Sequence, residues 1–418
     1  MSDAVSNPPF PSPRLRPIYL DNHSTTRVDP RVVAEMLPVF DEQFGNAASI
    51  NHHYGWEAEA AVDAARRQIG LVLNAAPEAI LFTSGGTESN NLALKGVLRA
   101  ATRGSHLVVA AAEHRSVLDP ARRLARQGYE LTIVPVERTG RVDPEAIAAA
   151  LRPETVLVSV MLANNEVGTI NPVRAIAEIC GARNVRLHCD AVQAVGRIAV
   201  DLGGLSADLV SFSAHKLYGP KGVGALYLRS VEPPIRIEPL FDGGGHERRL
   251  RSGTLPVPLI VGFAAACRIA SEELAQEAAR LSALREQLWE GLAQRVPGVL
   301  VNGHPTERLP GNLNVSFDGL DGEALMTSLT DIAVSSGSAC TSADPEPSHV
   351  LRAMGVPEAR SKASLRFGLG RFTTAAEIEF AIDYVAATTA RLRSAQKSVP
   401  PAGGDLPGAT NQPYEAPR

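Results

Sequence analysis

Short apolar, β-branched runs alternate with longer amphipathic stretches along most of this chain, and no other feature constrains its fold as strongly. The apolar runs are AILFT, HLVVAA, ELTIVPV, TVLVSVML, VRLHCD, ADLVSFS and VGALYL, and helical patterns such as EAEAAVDAARRQIGLVL and PEAIAAALR lie among them. Strands that alternate with helices on this scale usually form a mostly parallel sheet covered by helices. The pattern therefore predicts a large α/β domain.

The pattern changes at residues 256–295, which form one long helical stretch that can bridge two domains. Fewer and shorter strands follow (NLNVSF, DIAVSS, SLRFGL), and then a closing helix, AAEIEFAIDYVAATTARLR. We therefore expect a large domain over residues 27–265 and a smaller α+β domain over 18–26 and 266–395. Residues 1–17 and 399–418 are rich in proline and lack periodicity, which predicts disordered ends.

Composition limits the partners and the compartment. The formal net charge of −4 gives no electrostatic reason to expect nucleic acid or an anionic membrane as partner. No window is apolar over the roughly 18 residues that a membrane span needs. The first residues lack an apolar central stretch, and the four cysteines form no CxxC pair, so a reducing, cytoplasmic setting is expected. The histidine and cysteine spacings give no tetrahedral set, so no metal is expected.

The turn after the strand AILF contains Gly86 and Thr87 and opens a helix. Glycines let the backbone approach an anion, and a helix start supplies free N–H groups and positive potential. This turn suits a phosphate group. A plain β–α turn with a capping box would use the same residue types, so both interpretations stand on this turn alone.

Two further polar residues follow buried strands. Asp190 ends VRLHCD, and a buried carboxylate is costly unless it meets a cation such as a protonated pyridine nitrogen. Pairing with an arginine or capping a helix would also explain it. Lys216, one of five lysines, follows ADLVSFS. A desolvated lysine is an imine-forming nucleophile, although a surface turn is the commoner explanation of such a segment. Together, the three strand ends supply what pyridoxal phosphate needs.

Eight segments carry a resemblance to a known family. They are FTSGGTESNNLALKG, EHRSVLD, MLANNEVGT, HCDAVQAVG, SFSAHKLYGPKG, GGGHERRLRSGT, SSGSACTS and SLRFGLGRFT. In this order they resemble the signature segments of the cysteine desulfurases of the NifS/IscS type, which are class V aminotransferase-like enzymes of PLP-dependent transferase fold type I. The resemblance extends from Tyr19 to about Leu392, nearly the whole chain.

The resemblance implies a role for each matching residue at the cofactor. Lys216 would bind pyridoxal phosphate covalently, Asp190 would pair with its pyridine nitrogen, and Gln193 would contact its ring hydroxyl. His114 would stack on the ring and move protons, as a histidine can near neutral pH. The groups that would bind the phosphate are Gly86, Thr87, Ser213, His215 and, from the neighbouring subunit of a homodimer, Thr254.

The resemblance also implies the substrate and the reaction. Asn165 and Arg366 would hold the carboxylate of L-cysteine, the arginine by a two-pronged contact. Cys340, in the segment SSGSACTS, would take the sulfur as a persulfide and leave L-alanine, and it would pass the sulfur to iron–sulfur cluster assembly or another acceptor. A lone cysteine is more often a small buried hydrophobe, and that explanation suits Cys180, Cys189 and Cys267.

Three other functions remain possible from the sequence. The chain is also compatible with a selenocysteine lyase, with another class V pyridoxal-phosphate enzyme, or with a silent sulfur-relay or scaffold protein. Cys340 argues against an aminotransferase, and Lys216, Asp190, His114 and Cys340 together argue against a silent protein. A Pro/Gly-rich tail stands where housekeeping members often have a helical segment that docks their scaffold, so the sequence leaves direct scaffold docking open.

Overall fold

The computed structural model describes residues 17–102, 104–336 and 347–398, without the side chains of 397 and 398. Its strands are β1 Ile18–Tyr19, β2 Ile80–Thr83, β3 His106–Ala110, β4 Glu130–Val134, β5 Thr155–Ser159, β6 Arg186–Asp190, β7 Leu209–Ser213, β8 Gly224–Leu228, β9 Val299–Asn302, β10 Asn312–Phe317, β11 Ile332–Ala333 and β12 Ser364–Gly368. Both ends predicted to be disordered lie largely outside the described residues.

The helices alternate with these strands through the first part of the chain. They are α1 Pro30–Asp41, α2 His53–Val72, α3 Gly86–Asn91, α4 Val97–Ala100, α5 Arg115–Arg126, α6 Pro144–Ala150, α7 Val173–Ala182, α8 Leu202–Leu205, α9 Val257–Arg295, α10 Gly322–Ser328, α11 His349–Ala353, α12 Glu358–Lys362 and α13 Ala375–Ser398. A π-helical turn, Leu92–Gly96, joins α3 to α4. Within the described ranges, no helix has the length and apolar character required to cross a membrane.

The seven apolar runs predicted as strands form one sheet in the order β2-β8-β7-β6-β5-β3-β4. Every neighbouring pair is parallel except the two pairs that involve β8. Alternate residues of a strand point to opposite faces, so Val108 packs in one hydrophobic cluster and Leu107 and Val109 pack in another. Helices cover both faces, which is why β2, β3 and β7 are buried along their whole length. The predicted α/β class with a mostly parallel sheet is confirmed.

The long helix α9 has 39 residues and is about 58 Å long at 1.5 Å per residue. Its first turns, with Phe263 and Ala266, pack in the core of the large sheet. Its later turns, with Leu284 and Leu288, pack in a second core with the antiparallel sheet β12-β10-β9. The helix thus links two hydrophobic cores, as its length predicts. The proposed domain boundaries fall within this arrangement and remain a proposal.

The first described residues run back across the molecule. β1 pairs with β11 in a short parallel sheet, and the chain then passes over the end of β7. There, Thr26 donates a backbone hydrogen bond of 3.0 Å to the carbonyl of His215. We call residues 21–26 the N-terminal strap. The sequence analysis did not predict β9 or the two-residue β1, which pair with β10 and β11 respectively.

Side chains close the exposed edge of the large sheet at β2. Arg66 donates to the carbonyl oxygen of Ile80 at 2.6 Å, and the Glu247 carboxylate accepts from the amide of Phe82 at 2.7 Å. Arg66 and Glu247 also form an ion pair of 2.6 Å. Unpaired strand edges invite pairing with other chains, so these contacts protect the sheet. Glu247 lies in a left-handed turn with positive φ at three successive residues, a conformation that costs about 1–2 kcal/mol per residue.

Candidate active site

A cavity of ≈ 250 Å³ lies at the carboxyl ends of β6 and β7 and beside the start of α3. This is the edge where parallel α/β sheets bind ligands. Most of the residues predicted for the site line it. They are Gly86, Thr87, His114, Asn165, Asp190, Gln193, His215, Lys216 and Arg366.

The turn between β2 and α3 forms one wall of the cavity. Gly85 has a φ of 152°, which favours glycine. A Cβ atom on Gly86 would lie 2.6 Å from Cγ2 of Val192, so a side chain there would collide with the opposite wall. The helix begins at Gly86, and the first N–H groups of a helix have no intrahelical acceptor. This turn can therefore bring backbone donors close to a phosphate.

His215 and Ser213 lie next to this turn. Burial, followed by the charge of Lys216, lowers the pKa of His215 to about 4, so its ring is neutral near pH 7. Its Nδ1 lies 3.2 Å from the hydroxyl of Thr25 in the N-terminal strap. Ser213 is buried at the end of β7, and its hydroxyl would lie 3.9 Å from a Cβ on Gly85. His215 lines the cavity, whereas the hydroxyl of Ser213 donates to the carbonyl of Val223 at 3.4 Å.

Asp190 ends β6 and is 5% exposed. Its Oδ1 accepts from the amide of Val192 at 3.0 Å, and its Oδ2 accepts from Nδ2 of Asn90 at 2.7 Å. In the described part of the chain, none of the ion pairs includes this carboxylate. A buried carboxylate without a cation is costly, and a protonated pyridine nitrogen would supply the missing positive charge. The arrangement fits pyridoxal phosphate.

A chain of hydrogen bonds connects Asp190 to His114. Nδ2 of Asn90 also donates to the hydroxyl of Ser116 at 2.8 Å, and that hydroxyl lies 2.7 Å from Nδ1 of His114. Nδ1 accepts from the amide of Ser116 at 3.1 Å, where His114 caps α5. Since Nδ1 acts as an acceptor, the neutral ring carries its proton on Nε2.

The N-terminal strap provides carbonyl groups to the lysine. Nζ of Lys216 donates to the carbonyls of His23 at 2.7 Å and Ser24 at 2.5 Å. Nε2 of Gln193 donates to the same His23 carbonyl at 2.9 Å. Nη2 of Arg197 donates to the backbone carbonyl of Lys216 at 3.1 Å. The strap thus positions both Lys216 and Gln193.

Arg366 projects from β12 towards the other side of the cavity and is 3% exposed. Its Nη1 donates to the carbonyl of Asn165 at 2.9 Å, and its Nη2 donates to Oδ1 of Asp21 at 2.8 Å. Oδ1 of Asn165 is buried and has no hydrogen-bond partner among the described residues. A guanidinium beside an unpaired amide oxygen suits a substrate that carries both a carboxylate and a donor group.

Of the other predicted residues that the structure describes, Ser213 and Thr254 do not line the cavity. Thr254 is exposed, as expected of a residue that would act on a neighbouring subunit. Cys340 lies outside the described residues. Cys180, Cys189 and Cys267 are buried, and burial raises the pKa of each thiol, to about 12 for Cys180. A thiol must ionise to act as a nucleophile, so these three have the properties of core residues.

Four further residues of the site escaped the sequence analysis. Asn90 and Ser116 form the connection to Asp190, and His23 and Ser24 present the strap carbonyls. Asn90 could have been inferred, because it lies four residues after Gly86 and therefore on the same helix face. The strap residues had no such signal, because they act through backbone carbonyls.

Comparison with known proteins decides the family. The family model described as Aminotransferase class-V matches residues 18–380. The chain is 53% identical to the protein named "Cysteine desulfurase IscS" of Anaeromyxobacter dehalogenans (strain 2CP-C), over 90% of this chain and 93% of that one. This chain belongs to the class V aminotransferase family.

Solved structures agree with this assignment to the class V aminotransferases. The structure titled "NIFS-LIKE PROTEIN" has a TM-score of 0.84 and 38% identity, and the match covers 90% of this chain and 100% of that one. Another, titled "SspA in complex with cysteine", has a TM-score of 0.75 and 33% identity, with coverages of 85% and 100%. The predicted NifS/IscS-type resemblance, transferase fold type I and pyridoxal-phosphate dependence are confirmed. The individual residue roles stay predictions.

Glu166, which follows Asn165, gives this class V aminotransferase a testable pH dependence. It accepts a hydrogen bond from Ser348, and burial raises its pKa from 4.5 to about 7. The folded protein therefore holds this proton more tightly than the unfolded chain, and the free energy of unfolding falls as the pH rises from about 4.5 to about 7.

For Glu166→Gln, we expect this loss to disappear. The variant should gain about 1 kcal/mol over the wild type for each pH unit in that window. Urea unfolding at several pH values measures the difference, and both proteins should respond alike below pH 4.5, where the carboxyl group is neutral in either state. Parallel curves from pH 4.5 to 7 would contradict the prediction.

Proposed function

We propose that this chain is a pyridoxal-phosphate-dependent cysteine desulfurase that converts L-cysteine to L-alanine and forms a persulfide on Cys340. One observation carries the proposal: Asp190, a buried carboxylate with no ion-pair partner in the described part of the chain, lines the same cavity as Lys216. The cysteine desulfurases among the relatives support this assignment of the reaction, and so does the relative solved in complex with cysteine.

Different residues of the cavity would bind different parts of the cofactor. Asp190 would pair with the pyridine nitrogen, Gln193 would contact the ring hydroxyl, and the turn at Gly86 and Thr87 would receive the phosphate together with Ser213 and His215. When bound, the cofactor supplies an electron sink for negative charge at the substrate carbons. The donor set fits each part of the cofactor, because cationic, hydroxyl and phosphate groups each meet a complementary protein group.

Lys216 and His114 provide the proton-transfer groups. As a free amine, Nζ of Lys216 would take a proton from the substrate α-carbon, because an unprotonated amine is an effective base. The carbonyls of His23 and Ser24 lie 2.7 and 2.5 Å from Nζ in the present arrangement and keep it at the cavity. His114, oriented by Ser116, carries its proton on Nε2 and can donate it.

Arg366 and Asn165 bind the substrate on the opposite side. The guanidinium would take the α-carboxylate, and its attachment to the carbonyl of Asn165 keeps it in place. Holding the substrate by its carboxylate fixes the α-carbon relative to Lys216, and such orientation accounts for a large share of enzymatic rate enhancement.

The sulfur step requires a thiolate. The C–S bond of cysteine breaks and an S–S bond forms at Cys340, so that cysteine and a thiol become alanine and a persulfide without any added oxidant or reductant. Because burial raises the pKa of the three described cysteine thiols, they are poorly suited to this attack. This supports Cys340, which follows a run of small residues, as the acceptor.

We extend the proposal to the wider setting. The enzyme would work as a homodimer in the cytoplasm, with Thr254 of each subunit reaching the phosphate of the other. The persulfide would pass to an iron–sulfur scaffold or another sulfur acceptor. Exposed aromatic side chains near the start of α2, including Tyr54 at 52% and Trp56 at 53%, are consistent with a protein partner at this surface.

Product analysis tests the function. Purified holoenzyme is incubated with L-cysteine and a thiol reductant, and alanine, sulfide, pyruvate and ammonia are measured. We expect equal amounts of alanine and sulfide. Pyruvate with ammonia would indicate a lyase, a keto acid without ammonia would indicate an aminotransferase, and turnover of selenocysteine alone would indicate a selenocysteine lyase. A protein that binds no cofactor and forms no product would be a silent relay or scaffold.

A further inference from the structure

Asp21, in the N-terminal strap, forms an ion pair with Arg366, the arginine that lines the cavity. Its Oδ1 accepts from Nη2 of Arg366 at 2.8 Å and from the hydroxyl of Ser335 at 2.8 Å. The side chains of Arg366 and Asp21 are 4% and 18% exposed. A guanidinium in so little water needs a counter-ion, and Asp21 supplies it.

Most N–H groups of the Arg366 guanidinium already donate to acceptors within the protein. Nη2 donates to Asp21 and also lies 3.2 Å from the hydroxyl of Ser335, so both of its hydrogens have acceptors. One hydrogen of Nη1 goes to the carbonyl of Asn165. Nε is buried and has no partner among the described residues. An arriving carboxylate must therefore share the guanidinium with Asp21 or displace a contact at Nη2.

We infer that Asp21 is a positioning residue that competes with carboxylate ligands for Arg366. The inference rests on the proposed function, in which Arg366 takes the substrate carboxylate. Two carboxylates beside one guanidinium repel each other, and this repulsion is strong where water is scarce. Asp21 thus orients Arg366 and at the same time weakens its hold on any carboxylate.

This competition has a consequence for turnover. L-cysteine and L-alanine carry the same amino and carboxylate groups, so a strong carboxylate contact would hold the product as firmly as the substrate. Interactions that bind both equally do not accelerate the chemistry. Asp21 favours the release of alanine, because its carboxylate can pair with Arg366 again when the product leaves.

Asp21→Asn tests the inference in the holoenzyme, because asparagine has nearly the same shape and keeps an oxygen that can accept from Arg366 and Ser335. L-alanine is titrated, and its binding is followed by the visible absorbance of the cofactor. We expect the Kd of L-alanine to fall about tenfold, because the competing charge is gone. Ethylamine, which lacks the carboxylate, should bind the variant and the wild type equally.

Two further variants make the result decisive. Ser335→Ala removes a hydrogen bond of Asp21 and one contact of Arg366 but leaves the charge of Asp21 in place. The Kd of L-alanine should therefore change less than about threefold, which is less than half of the main effect on a logarithmic scale. Asp21→Ser is a second neutral variant and should tighten alanine binding if the asparagine variant folds poorly.

Unchanged or weaker alanine binding in a folded Asp21→Asn holoenzyme would overturn the inference. Tighter binding would support it, because a purely structural loss cannot tighten the binding of a ligand. The test is separate from that of the proposed function. If the wild type binds L-alanine without desulfurating L-cysteine, the function fails and the comparison of alanine affinities still tests Asp21.

Discussion

Lys216→Ala should lower the rate of alanine and sulfide formation by about 10⁴-fold or more, since a positioned acid–base group alone contributes up to about that factor. The substitution also removes the only described side-chain amine that lines the cavity. The protein should remain folded, because the truncation removes hydrogen bonds to two backbone carbonyls at the cavity and leaves the buried hydrophobic clusters unchanged. The visible absorbance of the lysine-bound cofactor should disappear in parallel.

Lys221→Ala is the matched control for this experiment. Lys221 follows Lys216 by five residues and is exposed, so its loss should leave the cofactor absorbance and the rate close to those of the wild type. Retention of the lysine-bound absorbance in Lys216→Ala would show that another lysine holds the cofactor. The assignment of β7 as the strand that presents the nucleophile would then be wrong.

Cys340→Ser should abolish sulfide release, with a fall on the order of 10³-fold or more, because a serine hydroxyl is a far weaker nucleophile than a thiolate. The cofactor site is made by other residues, so the variant should keep its yellow colour and still bind L-cysteine. Spectral titration with L-cysteine measures binding, and the assay with a thiol reductant measures sulfide. This combination separates loss of the sulfur acceptor from loss of the active site.

The other cysteines provide the controls. Cys180 packs in α7, and burial raises the pKa of its thiol to about 12, so Cys180→Ala should retain sulfide release at a moderate cost in stability. Mass spectrometry after a single turnover without reductant should find the added sulfur on the peptide that contains Cys340. If Cys340→Ser and the wild type release sulfide alike, the reaction does not pass through this thiol.

Several features of the site were predictable because each depends on a local pattern. A glycine turn after a buried strand predicts the wall at Gly86, and polar residues at the ends of β6 and β7 predict Asp190 and Lys216. Carboxyl ends of parallel strands meet at one edge of a sheet, so these residues were expected to converge, and they line one cavity. The long helix α9 was predictable for a similar reason, since its period continues without a glycine or proline interruption after Gly262 until Gly291.

Other features had no local signal. His23 and Ser24 act through backbone carbonyls, which every residue type possesses, so nothing in their identities marks them. Ser116 is an ordinary helix-start residue in the sequence, and the only local signal of Asn90 is that it shares a helix face with Gly86. Their joint role depends on Asp190, which lies 100 positions from Asn90 along the chain. The two-residue strand β1 is held by pairing with β11, which lies near the other end of the chain.

The strands of the large sheet, their order along the chain and the chemistry at their ends were predictable from the sequence, because periodicity and turn residues act between neighbours in the chain. The ion pair of Asp21 with Arg366 became evident only in the folded protein, because the two residues are 345 positions apart. The physical reason is burial. Folding removes water from both charges, and a buried charge is costly unless it is paired with an opposite one. No local sequence pattern predicts which two distant residues form that pair.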